Sequence, residues 1–331
     1  MLPNFICPGS QKSGTSLLQK ILEQHPQIYL PKIKETNFFN FSYRFVSANT
    51  VRYESQFYSN VEKSCTAIGE ICPDYLLDDK NPNRISSLLG PDIKLIFILR
   101  EPVDRAFSAY KMFSAACMDC SKNFKKAIHN DQITVDRRFH YIERGAYATR
   151  IKEYLKYFKK ENMMFLVFEE DIKKNLQHTI IKILKFLEVD PNVELNLDFN
   201  ANPTLPSKFE VLQKDYVIFK QVKQIQEPKK TEFKNKIKNI LLRKKKEEIY
   251  KQEIDIIIPK GSIRYSIKGE QEKYIFNPSE KVIKEINSYN FQSRPPSKNY
   301  RQELIEKYFY DEIKEVEKII SRDLTSIYLN K

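Results

Sequence analysis

The residues best suited to chemistry fall in one short window, Gly9-Ser10-Gln11-Lys12-Ser13-Gly14-Thr15-Ser16, where two of the chain's seven glycines bracket a lysine among four hydroxyl side chains. The apolar stretch Asn4–Pro8 precedes it, and Thr15–Gln24 follows with Leu17, Leu18, Ile21 and Leu22 at helical spacing before His25-Pro26. A loop between strand and helix aims successive backbone N–H groups, and the positive end of the helix, at one point: an anion site. In the nucleotide-kinase pattern G-x4-G-K-[ST] the lysine directly follows the second glycine. Here Thr15 holds that place and the lysine comes two residues before the glycine, at Lys12. A cation so placed sits over the bridging region of a shorter anion chain than a metal-bound triphosphate.

A second strand-and-helix unit repeats the form. Lys94–Arg100 reads as a continuous apolar strand, and Pro102 opens a helix with Val103, Ala106, Phe107 and Tyr110 on one face. Arg100 ends the strand, Ser108 follows about two helical turns later, and Arg105 lies one turn before Ser108. One cofactor with two separated phosphates would use both units. The plainer alternatives are an ordinary turn at the first and ion pairs of Arg100 or Arg105 with Glu101 or Asp104 at the second.

The elements that must position these residues alternate. Further strands are expected at Ala67–Ile71 and Met164–Phe168, helices at Ala146–Phe158 and His178–Leu187, and a closing helical pair at Gln302–Phe309 and Asp311–Ser321. The expected fold is α/β, a P-loop-type parallel sheet flanked by helices on both faces. One domain over 1–331 is expected, with a variable basic insert at 208–290. Within it Lys229–Lys251 carries ten Lys and Arg against three Glu, and Phe233, Ile237, Ile240 and Leu241 suit one face of an amphipathic helix. Such a helix either packs by its apolar stripe or docks an anionic acceptor or membrane surface.

The net charge of +13 favours anionic partners. No apolar run reaches the roughly 18 residues of a membrane span, and Met1–Phe5 lacks the marks of a signal peptide. Five cysteines, an odd number confined to the first 120 residues, argue against a disulfide framework and for a cytoplasmic location. Cys117 and Cys120 have CxxC spacing without a second pair or a histidine partner, and read as ordinary thiols.

Taken together, the motifs resemble the sulfotransferases that use 3′-phosphoadenosine-5′-phosphosulfate (PAPS). Lys12-Ser13-Gly14-Thr15-Ser16 is similar to their 5′-phosphosulfate loop, and Leu99-Arg100-Glu101-Pro102-Val103-Asp104-Arg105-Ala106-Phe107-Ser108-Ala109-Tyr110 to their 3′-phosphate motif. His25-Pro26 with Lys34-Glu35-Thr36-Asn37-Phe38-Phe39 resembles the carbohydrate and heparan sulfate branch. Gly69-Glu70 with Pro73-Asp74-Tyr75, Gly145-Ala146-Tyr147, and the closing Arg301–Leu329 agree in order. Residues 208 to 290 match weakly.

The resemblance implies in-line transfer of a sulfuryl group from PAPS to an acceptor hydroxyl, with the acceptor a carbohydrate, glycolipid or other hydroxylated molecule and with no metal and no nucleic acid. Lys12 would neutralise the bridging oxygen. Gln11, Thr15 and Ser16, with amides of Ser13 and Gly14, would hold the 5′ side, and Arg100 and Ser108 the 3′-phosphate. Glu35 matches that branch's general base; on the residues alone the plainer alternative is a solvated loop carboxylate or a partner of Lys34. Lys260 and Gly261, in Lys260-Gly261-Ser262-Ile263-Arg264, are the candidates for the family's C-terminal phosphate loop. His25 reads as a helix terminator, and neither His129 nor His140 carries the histidine-base pattern of the phenol and steroid branch. Glu70-Ile71-Cys72-Pro73 lacks the basic residue that several heparan sulfate members carry there. Two alternatives stay open: a magnesium-dependent P-loop kinase using Glu169, Glu170 or Asp171, and a non-enzymatic adaptor docking through Lys229–Lys251.

Overall fold

The computed structural model describes residues 1–40, 50–115, 119, 121, 123–131, 139–198 and 295–329, with the backbone of three strands between 250 and 276. Five strands, β1 (Phe5–Gly9), β2 (Ile28–Tyr29), β3 (Ala67–Ile71), β4 (Lys94–Leu99) and β5 (Met163–Val167), pair in parallel in the order β2-β3-β1-β4-β5. The helices are α1 (Thr15–Leu22), α2 (Thr50–Phe57), α3 (Asn81–Leu89), α4 (Pro102–Ala115), α5 (Phe124–Asp131), α6 (Tyr147–Leu155), α7 (Leu176–Phe186), α8 (Lys298–Leu304), α9 (Tyr310–Ile320) and α10 (Leu324–Leu329).

The sheet is buried on both faces, so its strands are continuous apolar runs rather than alternating ones. The period of two still sorts the side chains. Phe5, Cys7, Ile96 and Ile98 join Leu18, Ile21 and Leu22 of α1 and Ile180, Ile183 and Leu184 of α7 in one core. On the opposite face Phe97 stacks on its cross-strand partner Phe165 and meets Tyr154 of α6 edge-on, with centroids 5.1 and 5.2 Å away. The chain runs outward from β1 to β2 and β3 and then returns to β4 on the other side of β1. That reversal opens a crevice at the carboxyl ends of β1 and β4, the usual ligand position in open α/β sheets.

The chain divides into two compact units. The first is Met1–Ala109, Ile128–Asn202 and Pro296–Lys331, and the second is Tyr110–Ala127 and Pro203–Pro295. Most of the second is the stretch expected as an insert. Its described strands β6 (Tyr250–Ile258), β7 (Gly261–Glu270) and β8 (Lys273–Phe276) form an antiparallel sheet. The expected basic helix therefore does not reach Lys251: Tyr250 and Lys251 open a strand, and residues 229–249 lie outside the described residues. The reason is local, because Ile254, Ile256 and Ile258 put β-branched residues at every second place, the first two pairing in register with Tyr265 and Ile263 of the next strand.

Candidate active site

The loop after β1 is rooted in β4. The Ser10 amide and hydroxyl both donate to the Ile98 carbonyl, at 2.9 and 3.0 Å, and the hydroxyl also meets Ser13 Oγ at 2.6 Å and Tyr147 Oη at 3.3 Å. From there the backbone turns through left-handed conformations at Lys12 (φ +68°) and Gly14 (φ +90°). Gly14 is needed twice over, since a Cβ there would lie 3.2 Å from the Phe168 ring in a backbone conformation that side chains disfavour. α1 starts directly after it with no side-chain cap, which leaves its first-turn N–H groups to an anion.

Arg100, at the end of β4, reaches across the same crevice. It donates to the Lys12 carbonyl at 2.6 Å and lies 4.7 Å above the Phe168 ring, so one aromatic floor supports both the loop and this arginine. Ser108 is half-buried two turns into α4. Arg105 does not join it at an open anion site: the side chain is fully buried, donates to the Tyr141 carbonyl, and is driven by burial down to about 10. The Glu101 and Asp104 carboxylates both pair with Arg301 of α8. Glu101 also caps α4, accepting from the Val103 and Asp104 amides at 3.1 and 2.5 Å. Burial, aided by Asp104, pushes its carboxyl up to about 7 against the opposing pull of Arg301.

Glu35 follows β2 in a segment with two left-handed residues, Glu35 (φ +59°) and Asn37 (φ +52°). Between them the Thr36 hydroxyl donates to the buried Glu70 carboxylate of β3 at 2.6 Å and meets Tyr75 Oη at 2.9 Å, while Tyr75 Oη accepts from the Phe38 amide at 3.0 Å. Burial raises the Glu70 carboxyl and the Thr36 bond opposes that rise. Phe38 and Phe39 pack behind the segment against Tyr53. Lys34 Nζ donates to Glu35 Oε1 and to Ser16 Oγ, each at 2.7 Å, which ties the segment to the first turn of α1.

The crevice thus gathers Gln11, Lys12, Ser13, Gly14, Thr15, Ser16 and Arg100, with Glu35 linked to Ser16 through Lys34. The expected C-terminal phosphate loop is not a loop among the described residues: Gly261 to Arg264 are strand β7, and Lys260 lies outside them. Cys117 and Cys120 also lie outside them. The carboxylates weighed as magnesium ligands have other partners. Glu169 accepts from the Glu101 amide, Glu170 pairs with Lys174, and Asp171 holds Arg322 and the Val167 amide. His25 is buried, bonded to the Asp190 carbonyl at 2.9 Å, and His140 pairs with Glu143. The Lys34–Glu35 ion pair is one the adjacent residues suggest, and it is present; the residues without a role in the sequence are Ser10, Glu70, Tyr75 and Tyr147. A glutamate inside an apolar strand is the available signal among them.

A sulfotransferase domain model matches residues 2–256. The chain belongs to the sulfotransferase domain family. It is 35% identical over 144 residues to the membrane-associated sulfotransferase kil1 of Dictyostelium discoideum, covering 41% of this chain and 29% of that protein. With heparan sulfate glucosamine 3-O-sulfotransferase 5 of Mus musculus it shares 27% over 205 residues, 60% of this chain and 58% of the relative. The chain therefore spans less than two thirds of these relatives' own lengths. Among solved structures, a sulfotransferase from Alicyclobacillus acidocaldarius superposes with a TM-score of 0.53 at 28% identity, covering 61% of this chain and 87% of that one.

Proposed function

We propose that the protein transfers a sulfuryl group from PAPS to a hydroxyl of a saccharide or glycolipid acceptor in the cytoplasm. The observation that carries this reading is the approach of an acidic side chain to the phosphate loop: Glu35 and Ser16 share the Lys34 ammonium. An acceptor hydroxyl must lose its proton as it attacks sulfur, and a carboxylate at that point can take it; a loop lysine before Gly14 rather than directly after it separates the site from a nucleotide kinase's. The saccharide class is supported by the heparan sulfate relatives.

The donor, when bound, supplies an activated sulfuryl group with a phosphate leaving oxygen. The chain's own residues fit that demand. The uncapped start of α1, with the Thr15 and Ser16 hydroxyls, would hold the 5′-phosphate, and Arg100 with Ser108 the 3′-phosphate. Lys12 would neutralise charge on the bridging oxygen as its bond to sulfur breaks and the acceptor oxygen bonds to sulfur from the other side. Glu35 would take the acceptor proton. Cations fixed in place act more strongly here than in water, because no reorganisation is needed as charge develops.

The test has two stages. 3′,5′-Bisphosphoadenosine is expected to raise the unfolding midpoint more than Mg-ATP does, and labelled PAPS to yield sulfated product with a panel of saccharides, glycolipids and phenols. Lys12→Ala and Glu35→Ala are expected to lower turnover at least about 100-fold with unchanged unfolding midpoints. Stabilisation by Mg-ATP alone, or full activity of Glu35→Ala, overturns the assignment.

A further inference from the structure

We propose that Lys34 is the positioning residue of the transfer reaction, its ammonium setting the Glu35 carboxylate at a fixed place relative to the phosphate loop. The inference rests on the sulfuryl-transfer reading above and assigns a role inside that site.

The backbone and the carboxylate of Glu35 are held by different devices. Thr36, Glu70 and Tyr75 anchor the left-handed backbone through buried hydrogen bonds. They leave the Glu35 side chain itself, 39% exposed, free to rotate about its three χ angles. Among the described residues the one hydrogen bond to that carboxylate comes from Lys34. The second bond from the same ammonium goes to Ser16, the second residue of α1. Lys34 therefore spans from the candidate base to the helix that begins the phosphate cradle, and fixes their separation.

Magnitudes separate this role from a structural one. An ion pair this exposed adds about 0–1 kcal/mol to stability. A displacement of about 1 Å in a reacting group costs on the order of 100-fold in rate. Loss of Lys34 is thus expected in kcat and not in folding.

The experiment compares wild type with Lys34→Met, Lys34→Gln and Lys34→Arg. It measures bisphosphoadenosine affinity, the unfolding midpoint, and kcat and KM for PAPS. Two acceptors are used: the best one from the panel, and water, whose slow sulfation needs no identified substrate. Lys34→Met and Lys34→Gln are expected to lose about 30- to 100-fold in kcat with KM and bisphosphoadenosine affinity within about threefold of wild type. Lys34→Arg, which keeps the charge and the donors, is expected to recover at least about tenfold of that loss. A kcat within about threefold of wild type in Lys34→Met overturns the proposal. So does a parallel loss of bisphosphoadenosine affinity, which would make Lys34 a donor ligand, or a kcat in Lys34→Arg no better than in Lys34→Met. Failure of wild type to bind bisphosphoadenosine overturns the transfer reading itself, and is seen before any variant is made.

Discussion

Glu101 offers a stability measurement that reads the electrostatics of the crevice directly. Its carboxyl is fully buried, faces Asp104 and Arg301, caps α4 through the Val103 and Asp104 amides, and is pushed by burial from an ordinary 4.5 up to about 7. A raised carboxyl keeps its proton in the folded chain after the unfolded chain has released it. Between pH 4.5 and about 7 the native state therefore holds more protons, and stability falls as pH rises through that window. At about 1.4 kcal/mol for each pH unit, the gap amounts to about 3 kcal/mol. The group is too buried for solvent screening to reduce this much.

Glu101→Gln removes the titration while keeping a carbonyl acceptor for the α4 amides, and Arg301 keeps its bond to Asp104. Its constant offset from wild type is of no interest; the change of that offset with pH is. Urea unfolding of both proteins at pH 5 and pH 8 should show wild type losing about 3 kcal/mol relative to the variant. With a slope of about 3 kcal/mol per molar urea, that is a relative midpoint change of about 1 M. Glu70 and Asp131, also raised by burial, titrate in both proteins and cancel. Parallel pH profiles would refute the argument, showing that Arg301 and the two amides stabilise the carboxylate as fully as water does.

Two further substitutions probe the scaffold. Thr36→Val strips the hydroxyl from Glu70 and Tyr75, and should lower stability by about 1–3 kcal/mol, with Thr36→Ser restoring most of it in thermal melts. Gly69→Ala would bring a Cβ to 2.4 Å from the Phe5 ring on the neighbouring strand, so a loss of about 1–3 kcal/mol is expected, relieved by Phe5→Leu in the double variant.

What the sequence made legible follows from how local each signal is. β3 occupies the expected residues, and β1, β4, α1 and the start of α4 lie within one or two residues of expectation, because a buried apolar run, an N-terminal proline and a helical stripe are written in neighbouring residues. β2, two residues long, has too few side chains for any period, and α2 and α3, eight and nine residues long, offer only about two turns of stripe in a mostly polar stretch. The site divides along the same line. The loop Gln11–Ser16 and Arg100 were visible as a motif, since phosphate binding by a strand-to-helix turn needs contiguous residues. Arg105 was misplaced, because helical spacing says which residues share a face but not that the Tyr141 carbonyl closes over this one. Glu70 sits 34 residues from Thr36 and Arg301 sits 197 from Asp104. Their pairing depends on which strands and helices become neighbours, so it appears only once the sheet order is known. A buried glutamate in an apolar strand says that a partner exists; the fold says that the partner lies beside the candidate base. That is why the local signals located the loop between β1 and α1, whereas the devices that hold Glu35 in place come from the three-dimensional arrangement.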